Sequence, residues 1–485
     1  MDITRPRLLR TAIVVVWTIL FALLLERDIL IDPVSTSSES LALKQAEGEE
    51  YHGIYHRDKK IGFAVSRFDK DGEGRLRLRQ QATMRLTLGG AEHPLSLDLE
   101  ATVNDDNTLH DFAFALQSPF YRMKAQGEVR GSQVSYRLEN GATVITDTII
   151  FPAPPLLATP RRAYLITNRM EPGEKRRIPW FDPVSLTKKE STLEYRGLES
   201  VFINQRVQKL HHFVESFSGA RVSMWLNDEG TVVKEESPAG FIFEKEPKFK
   251  AMAMDGAAPD LLATVAVQPR GEIGDLGGKI KRYRLGLPAD VALDLDGGRQ
   301  RFSNGVLVIS REAPPAEGAT ACADHSLLLA ATPFIQADNG AIKAKAAEIA
   351  GKATTPLARA RLLASWVYEN IEKLPVVGLP DALSTLNARR GDCNEHAALF
   401  AALARAQGIP TRIAVGLTVQ RGAFYYHAWN EVCIGGAWQS LDTTTGQFPA
   451  DLGHIRLVIG EMEEQLRLSG LLGALTVEVL ADGSD

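Results

Sequence analysis

The chain has 485 residues, 45% apolar and 24% charged, which excludes wholesale disorder and a collagen-like repeat. Lys+Arg total 55 against 60 Asp+Glu, a net charge of -5 without the basic excess of a nucleic-acid groove, so no nucleic-acid partner is expected. Three cysteines cannot staple a chain this long, so stability must come from hydrophobic cores and any thiol chemistry from one cysteine and its neighbours.

In chain order, Arg5, Arg7 and Arg10 precede a mostly apolar run from Thr11 to Leu25. As a helix that run spans roughly 22 Å, short of a ~30 Å hydrocarbon core. Leu8, Leu9 and Ile29 to Ile31 can extend it while the arginines snorkel. No small-x-small cleavage site follows the run closely, so residues 1–32 read as a retained membrane anchor rather than a cleaved signal. The positive cluster stays inside, which predicts a single-pass inner-membrane protein with its bulk periplasmic. Residues 33–50 are polar and read as a tether.

Residues 51–258 read as a β-rich domain. Val65 to Phe68, Met84 to Leu88, Leu95 to Val103 and Asp111 to Leu116 are strand-like runs punctuated by Gly, Asn and Asp. The segment Val103-Asn104-Asp105-Asp106-Asn107-Thr108-Leu109 echoes Leu226-Asn227-Asp228-Glu229-Gly230-Thr231-Val232. Both look like hairpin tips, and the echo suggests two related halves joined by the proline-rich stretch Phe151 to Pro160. A smaller β-rich segment covers 262–315. The period then becomes helical: Leu357, Leu363, Val367 and Ile371 follow Thr355 as N-cap and Pro356 at the first helical position, with Trp366 expected in the core.

The chemistry concentrates in Gly391-Asp392-Cys393-Asn394-Glu395-His396. Gly391 is expected to end a short helix carrying Leu383 and Leu386. Asp392 then caps the next helix, with Glu395 completing a capping box and Leu399, Leu403 and Ala406 forming its buried stripe until Gly408 and Pro410. This puts Cys393 at a helix N-terminus, where free N–H groups and the dipole are expected to lower the thiol pKa. Downstream, alternation places Tyr425, His427, Trp429 and Glu431 on one strand face. A Gly435-Gly436 hairpin brings Asp442 back toward His427, where it can fix the imidazole through Nδ1. A helix-borne Cys, a strand-borne His and a strand-borne Asp make a cysteine-nucleophile triad.

Residues 325–470 resemble the transglutaminase-like superfamily, with its papain-like catalytic plan. The resemblance rests on GDCNEHAALFAALARAQGIPTRIAVG, FYYHAWNEV and WQSLDTT. It implies Cys393 as nucleophile, His427 as general base and Asp442 as the orienting acid. The expected architecture is α+β: an N-terminal transmembrane anchor, β-rich middle regions, a C-terminal transglutaminase-like domain, and a tail at 471–485. The expected function is a membrane-tethered, extracytoplasmic cysteine protease or amidase. It would act on envelope peptides or proteins through a thioester, with hydrolysis favoured over cross-linking. The competing expectation is a catalytically silent, membrane-anchored peptide- or lipid-binding protein.

No cofactor is expected. Zinc on Cys393, His427 and Asp442 is disfavoured, as is a site at Glu395 and His396, because Glu395 is better used in the cap. Trp429 reads equally as a shield for the site and as packing. Cys433 reads as buried packing, with a Cys322–Cys433 disulfide left open, and His454 as structural or part of a substrate rim.

Overall fold

The computed structural model describes residues 34, 48–119, 121–141, 143–182, 187–217, 220–254, 259–288, 291–313 and 326–481. The expected anchor, nearly all of the tether, and Cys322 lie outside these residues. Among the described residues no helix is long and apolar enough to cross a membrane.

The β-rich region forms one 15-stranded sheet among the described residues. Its first eight strands, Gly48–His56 to Thr143–Ile150, are a simple meander, and the remaining seven, Leu156–Leu157 to Phe241–Lys245, form a second in chain order whose first pair, Leu156–Leu157 with Lys175–Asp182, is parallel. The first strand pairs antiparallel with the last, His52 opposite Lys245 and His56 opposite Phe241, which joins the two meanders. Strand Leu109–Ser118 shows why the sheet has two faces. Phe112, Phe114 and Leu116 recur every second residue and are buried, while Ala113 between them is exposed. The echoed hairpin tips are real turns with the same bonding: Asn104 N–H donates to Thr108 O at 2.9 Å, and Asn227 N–H to Thr231 O at 3.0 Å. Asn107 (φ 66°) and Gly230 (φ 76°) take the left-handed positions.

The first meander buries a core of Leu78, Leu99, Phe112, Phe114, Met123 and Leu138 that also takes in Leu379, with Val377 and Phe334 packed against it. These last three belong to the C-terminal region, so the two regions share apolar surface. Polar contacts follow alongside. The Thr143 hydroxyl donates to Asp381 Oδ1 at 3.2 Å, and the Ser384 hydroxyl to Asn140 O at 3.1 Å.

The C-terminal region is built from helices α1 (Gly340–Ala350), α2 (Pro356–Asn370), α3 (Ala382–Ala388) and α4 (Cys393–Ala406), followed by strands β1 (Thr411–Gln420), β2 (Ala423–Ile434), β3 (Ala437–Leu441) and β4 (Ile455–Ile459). The strands lie in the order β3-β2-β1-β4, all antiparallel. Thr355 caps α2 by accepting from Ala358 N–H, as expected. Trp366 is only half-buried, its ring flanked by Arg389 and Lys345. Helices α1, α2 and α3 pack around α4, and β2 crosses it. Every residue of α4 from Glu395 to Arg405 is therefore buried, not only the expected stripe. Ala397, Ala398, Ala401, Ala402 and Ala404 allow neighbours to approach on all sides.

Two boundaries differ from the sequence reading. The 471–485 segment is not merely a tail, because Thr476–Val479 is a strand between Pro269–Arg270 and Ile280–Gly286 in a five-stranded sheet. The 262–315 segment is likewise not separate. Its Tyr283, Leu285, Leu307 and Ile309 share one core with Leu399, Phe400 and Val477. Two buried arginines lock it on. Arg456 donates to Asp294 O, Asp296 O and Gly297 O while its guanidinium pairs with Glu431 at 2.9 Å. Arg299 donates to Ala450 O and His454 O. Burial would push the Glu431 carboxyl up, but Arg456 and Arg412 hold it below its ordinary value. Replacing Arg456 by Met leaves that carboxylate with only Arg412, and urea unfolding should show a loss of about 3–5 kcal/mol.

Candidate active site

The approach to Cys393 is a sequence of local backbone decisions. Helix α3 ends at Ala388, with Arg389 in the left-handed region at φ 57°. This is earlier than the Gly391 stop expected from sequence. Gly391 instead pairs in a short parallel bridge with Lys373. Its lack of a side chain serves close packing, since a Cβ there would sit 2.3 Å from Glu395 Cβ. That space lets Glu395 fold back: Asp392 N–H donates to Glu395 Oε2 at 2.9 Å, and Asn394 N–H donates to Asp392 Oδ1 at 2.9 Å. The capping box is complete.

Cys393 is a free thiol, half-buried at the first position of α4. The Ala428 N–H, one residue past His427 on β2, lies beside its sulfur and favours the thiolate. The expected lowering of its pKa is not found. Burial pushes the thiol well up, and the charges of Asp392, Glu395 and Asp442 add to it, with only the Ala428 N–H opposing. The acids that build the cap place negative charge where the helix dipole would favour a thiolate. In isolation this thiol stays protonated and needs a partner to take its proton.

His427 is buried and stands beside that contact. Its Nε2–H donates to Asp442 Oδ2 at 2.9 Å. The expectation named Nδ1, but Leu441 is paired with Asn430, so Asp442 lies past the end of β3 and diagonal to His427. The outer ring nitrogen reaches it, leaving Nδ1 as the second nitrogen. Asp442 is buried, which alone would raise its pKa. Hydrogen bonds from His427 and His454 outweigh burial and hold the carboxyl well below its ordinary value. Thr445 Oγ1 also donates to Oδ2 at 2.6 Å, and Thr444 N–H donates to Oδ1 at 2.7 Å.

The Trp429 ring lies parallel to His427, 6.4 Å between centroids, and edge-on to His454 at 5.2 Å. It therefore walls both imidazoles. Cys433 is buried and disulfide-bonded. His396 Nδ1 bonds to Asp392 O at 2.7 Å. His454 is not on a substrate rim. It is 1% exposed and sits on Asp442, 3.2 Å from Nε2 to Oδ2. The signal for it was present in the spacing Asp451-x-x-His454, which closes an i,i+3 pair at 2.9 Å. His427, Asp442 and His454 offer three ligating atoms within 4.8 Å of one another, the one such group among the described residues. Asp442 Oδ2 is already hydrogen-bonded to both rings, an arrangement suited to a proton network.

Residues 343–443 match the sequence model of the Transglutaminase-like superfamily. The chain carries a transglutaminase-like core domain. The match spans Cys393, His427 and Asp442 and stops short of Asp451 and His454. The chain is 38% identical over 94 residues to an uncharacterized protein of Haemophilus influenzae, covering 18% of this chain and 25% of that protein. The chain thus matches about a quarter of the length of this curated relative. Among solved structures, a candidate cysteine protease from Cytophaga hutchinsonii aligns at 17% identity over 46% of this chain and 85% of its own, TM-score 0.28. A beta-barrel-like protein of domain of unknown function DUF1849 from Brucella abortus aligns at 10% identity over 41% of this chain and 97% of its own, TM-score 0.33.

In the transglutaminase-like domain, Gly391→Ala forces a Cβ into Glu395 and should cost about 1–3 kcal/mol, read by chemical denaturation. The same variant should slow labelling of Cys393 by iodoacetamide, because the displaced cap moves the start of α4.

Proposed function

We propose that this protein is a cysteine-dependent acyl-transfer enzyme that hydrolyses peptide or protein amide bonds, tethered to the membrane with its body on the periplasmic side. The carrying observation is that α4, which opens at Cys393, packs against β2, whose His427 is bonded to the buried Asp442 carboxylate. With Nε2–H committed to Asp442, His427 Nδ1 takes the thiol proton. The sulfur attacks the amide carbonyl carbon, and the Cys393 N–H at the start of α4 serves as an oxyanion donor. The tetrahedral adduct collapses as the C–N bond breaks, and the amine leaves with the proton from His427. Water, deprotonated by His427, then attacks the thioester, releasing the acid and restoring the thiol.

The raised thiol pKa supports this order of events: the nucleophile forms only when His427 accepts its proton. Membrane tethering rests on the apolar run Thr11 to Leu25 and on the arginines before it. The binding-protein reading has a groove of about 600 Å³ on the 15-stranded sheet in its favour. Arg67, Arg79, Asp98, Glu100, Lys124 and Arg137 line it, which suits a polar ligand rather than a lipid.

The two readings separate on thiol reactivity. Iodoacetamide labelling of Cys393 at pH 7 should exceed that of a free thiol by at least roughly tenfold and fall to free-thiol rates in His427→Ala. Wild-type labelling no faster than a free thiol would remove the enzymatic reading.

A further inference from the structure

We infer that His454 is a fourth residue of this site, a buried positioning residue that bridges Asp442 and Asp451 and through Asp442 sets the orientation and proton affinity of His427. The inference rests on the reading of Cys393, His427 and Asp442 as a catalytic unit. It adds a residue beyond the 343–443 match.

The geometry fixes the protonation of the ring. His454 Nε2 lies 3.2 Å from Asp442 Oδ2, and Nδ1 lies 2.9 Å from Asp451 Oδ1. A neutral imidazole has one N–H and one lone pair, so one of these carboxylates would face a lone pair. Only the doubly protonated ring donates to both. Neither acid can turn away easily. Asp451 Oδ1 also accepts from Gly453 N–H at 2.9 Å, and Oδ2 accepts from Gln447 Nε2 at 3.0 Å. Asp442 and Gln447 exchange backbone bonds in both directions, which closes the loop that carries the acids. Arg299 holds the same loop through Ala450 O and His454 O.

The charged groups around His454 come from every element packed against it. Asp442 follows β3, Asp451 precedes it in its own loop, His427 projects from β2, and the Arg299 guanidinium meets its main-chain oxygen. Lys373 acts on the same Asp442 carboxylate from across the site. Thr418 Oγ1 on β1 is a neutral neighbour 3.4 Å from Nε2. Burial opposes a charge on His454, but the bonds to Asp442 and Asp451 outweigh it and raise its pKa.

Two consequences follow for His427. Asp442 Oδ2 receives His427, His454 and Thr445 together, so the carboxylate is pinned at the diagonal position His427 needs. The His454 cation also shares the Asp442 charge, so His427 feels less than a full carboxylate. Removing the cation strengthens the hold of Asp442 on a protonated His427, and the proton affinity of His427 rises.

The test is the pH profile of Cys393 alkylation by iodoacetamide, read by mass spectrometry on the full chain. It compares wild type, His427→Ala and His454→Gln, where Gln keeps a donor toward Asp442 but no charge. Wild type is expected to show two waves, thiolate formation beside protonated His427 and then loss of that proton. The second wave should move up by about one pH unit in His454→Gln. A His454→Gln profile superimposed on wild type overturns the inference and leaves the Cys393–His427 reading standing. A single ordinary thiol wave in wild type, unchanged in His427→Ala, overturns both.

If His454→Gln does not fold, the ring ¹⁵N spectrum of a Cys393→Ala protein at pH 8 decides. One histidine should be protonated on both nitrogens there and lose a proton on adding Asp451→Asn. A spectrum with no such histidine overturns the inference.

Discussion

The buried Asp442 carboxylate is the point on which the site depends. A carboxylate taken out of water is stable only when its oxygens are fully supplied with donors. Here Oδ2 takes His427, His454 and the Thr445 hydroxyl, and Oδ1 takes Thr444 N–H. These donors come from β2, from the loop after β3 and from the turn before β4. Satisfying one charge therefore fixes three chain segments relative to one another. It also commits Nε2 of His427 and leaves Nδ1 as the other ring nitrogen.

The surrounding fold supports that point from two sides. From one side Arg299 and Arg456 reach out of, or into, the segment before residue 313 and tie it to the loop and sheet of the site. From the other, Val377 and Leu379 enter the apolar core of the first meander, and Asp381 is bonded by Thr143. The chain from Leu379 runs through α3 directly to Gly391 and Cys393. The large sheet thus braces the approach to Cys393, and the five-stranded sheet braces Asp442 and its histidine partners.

Local signals in the sequence were readable because short-range physics governs them. The capping box at Asp392 and Glu395, the Thr355 cap and the two hairpin tips depend on residues within a few positions, and each is found where the spacing placed it. The bringing together of His427 and Asp442 was legible from strand period and one Gly-Gly turn. What stayed hidden is long-range. The nitrogen that meets Asp442 depends on a diagonal offset past the strand end. The thiol pKa depends on how three acids crowd one sulfur, which a helix start alone does not reveal. The burial of His454, and the joining of Thr476–Val479 to strands nearly 200 residues earlier, depend on topology that no local pattern encodes.

The central claim is that Cys393 carries out covalent chemistry on amide bonds. Its most direct test is to incubate wild type and Cys393→Ala with envelope extracts and follow new N-termini and amide loss by mass spectrometry. The account predicts products with wild type that are missing with Cys393→Ala. The same products from both proteins, or none from either, would contradict it.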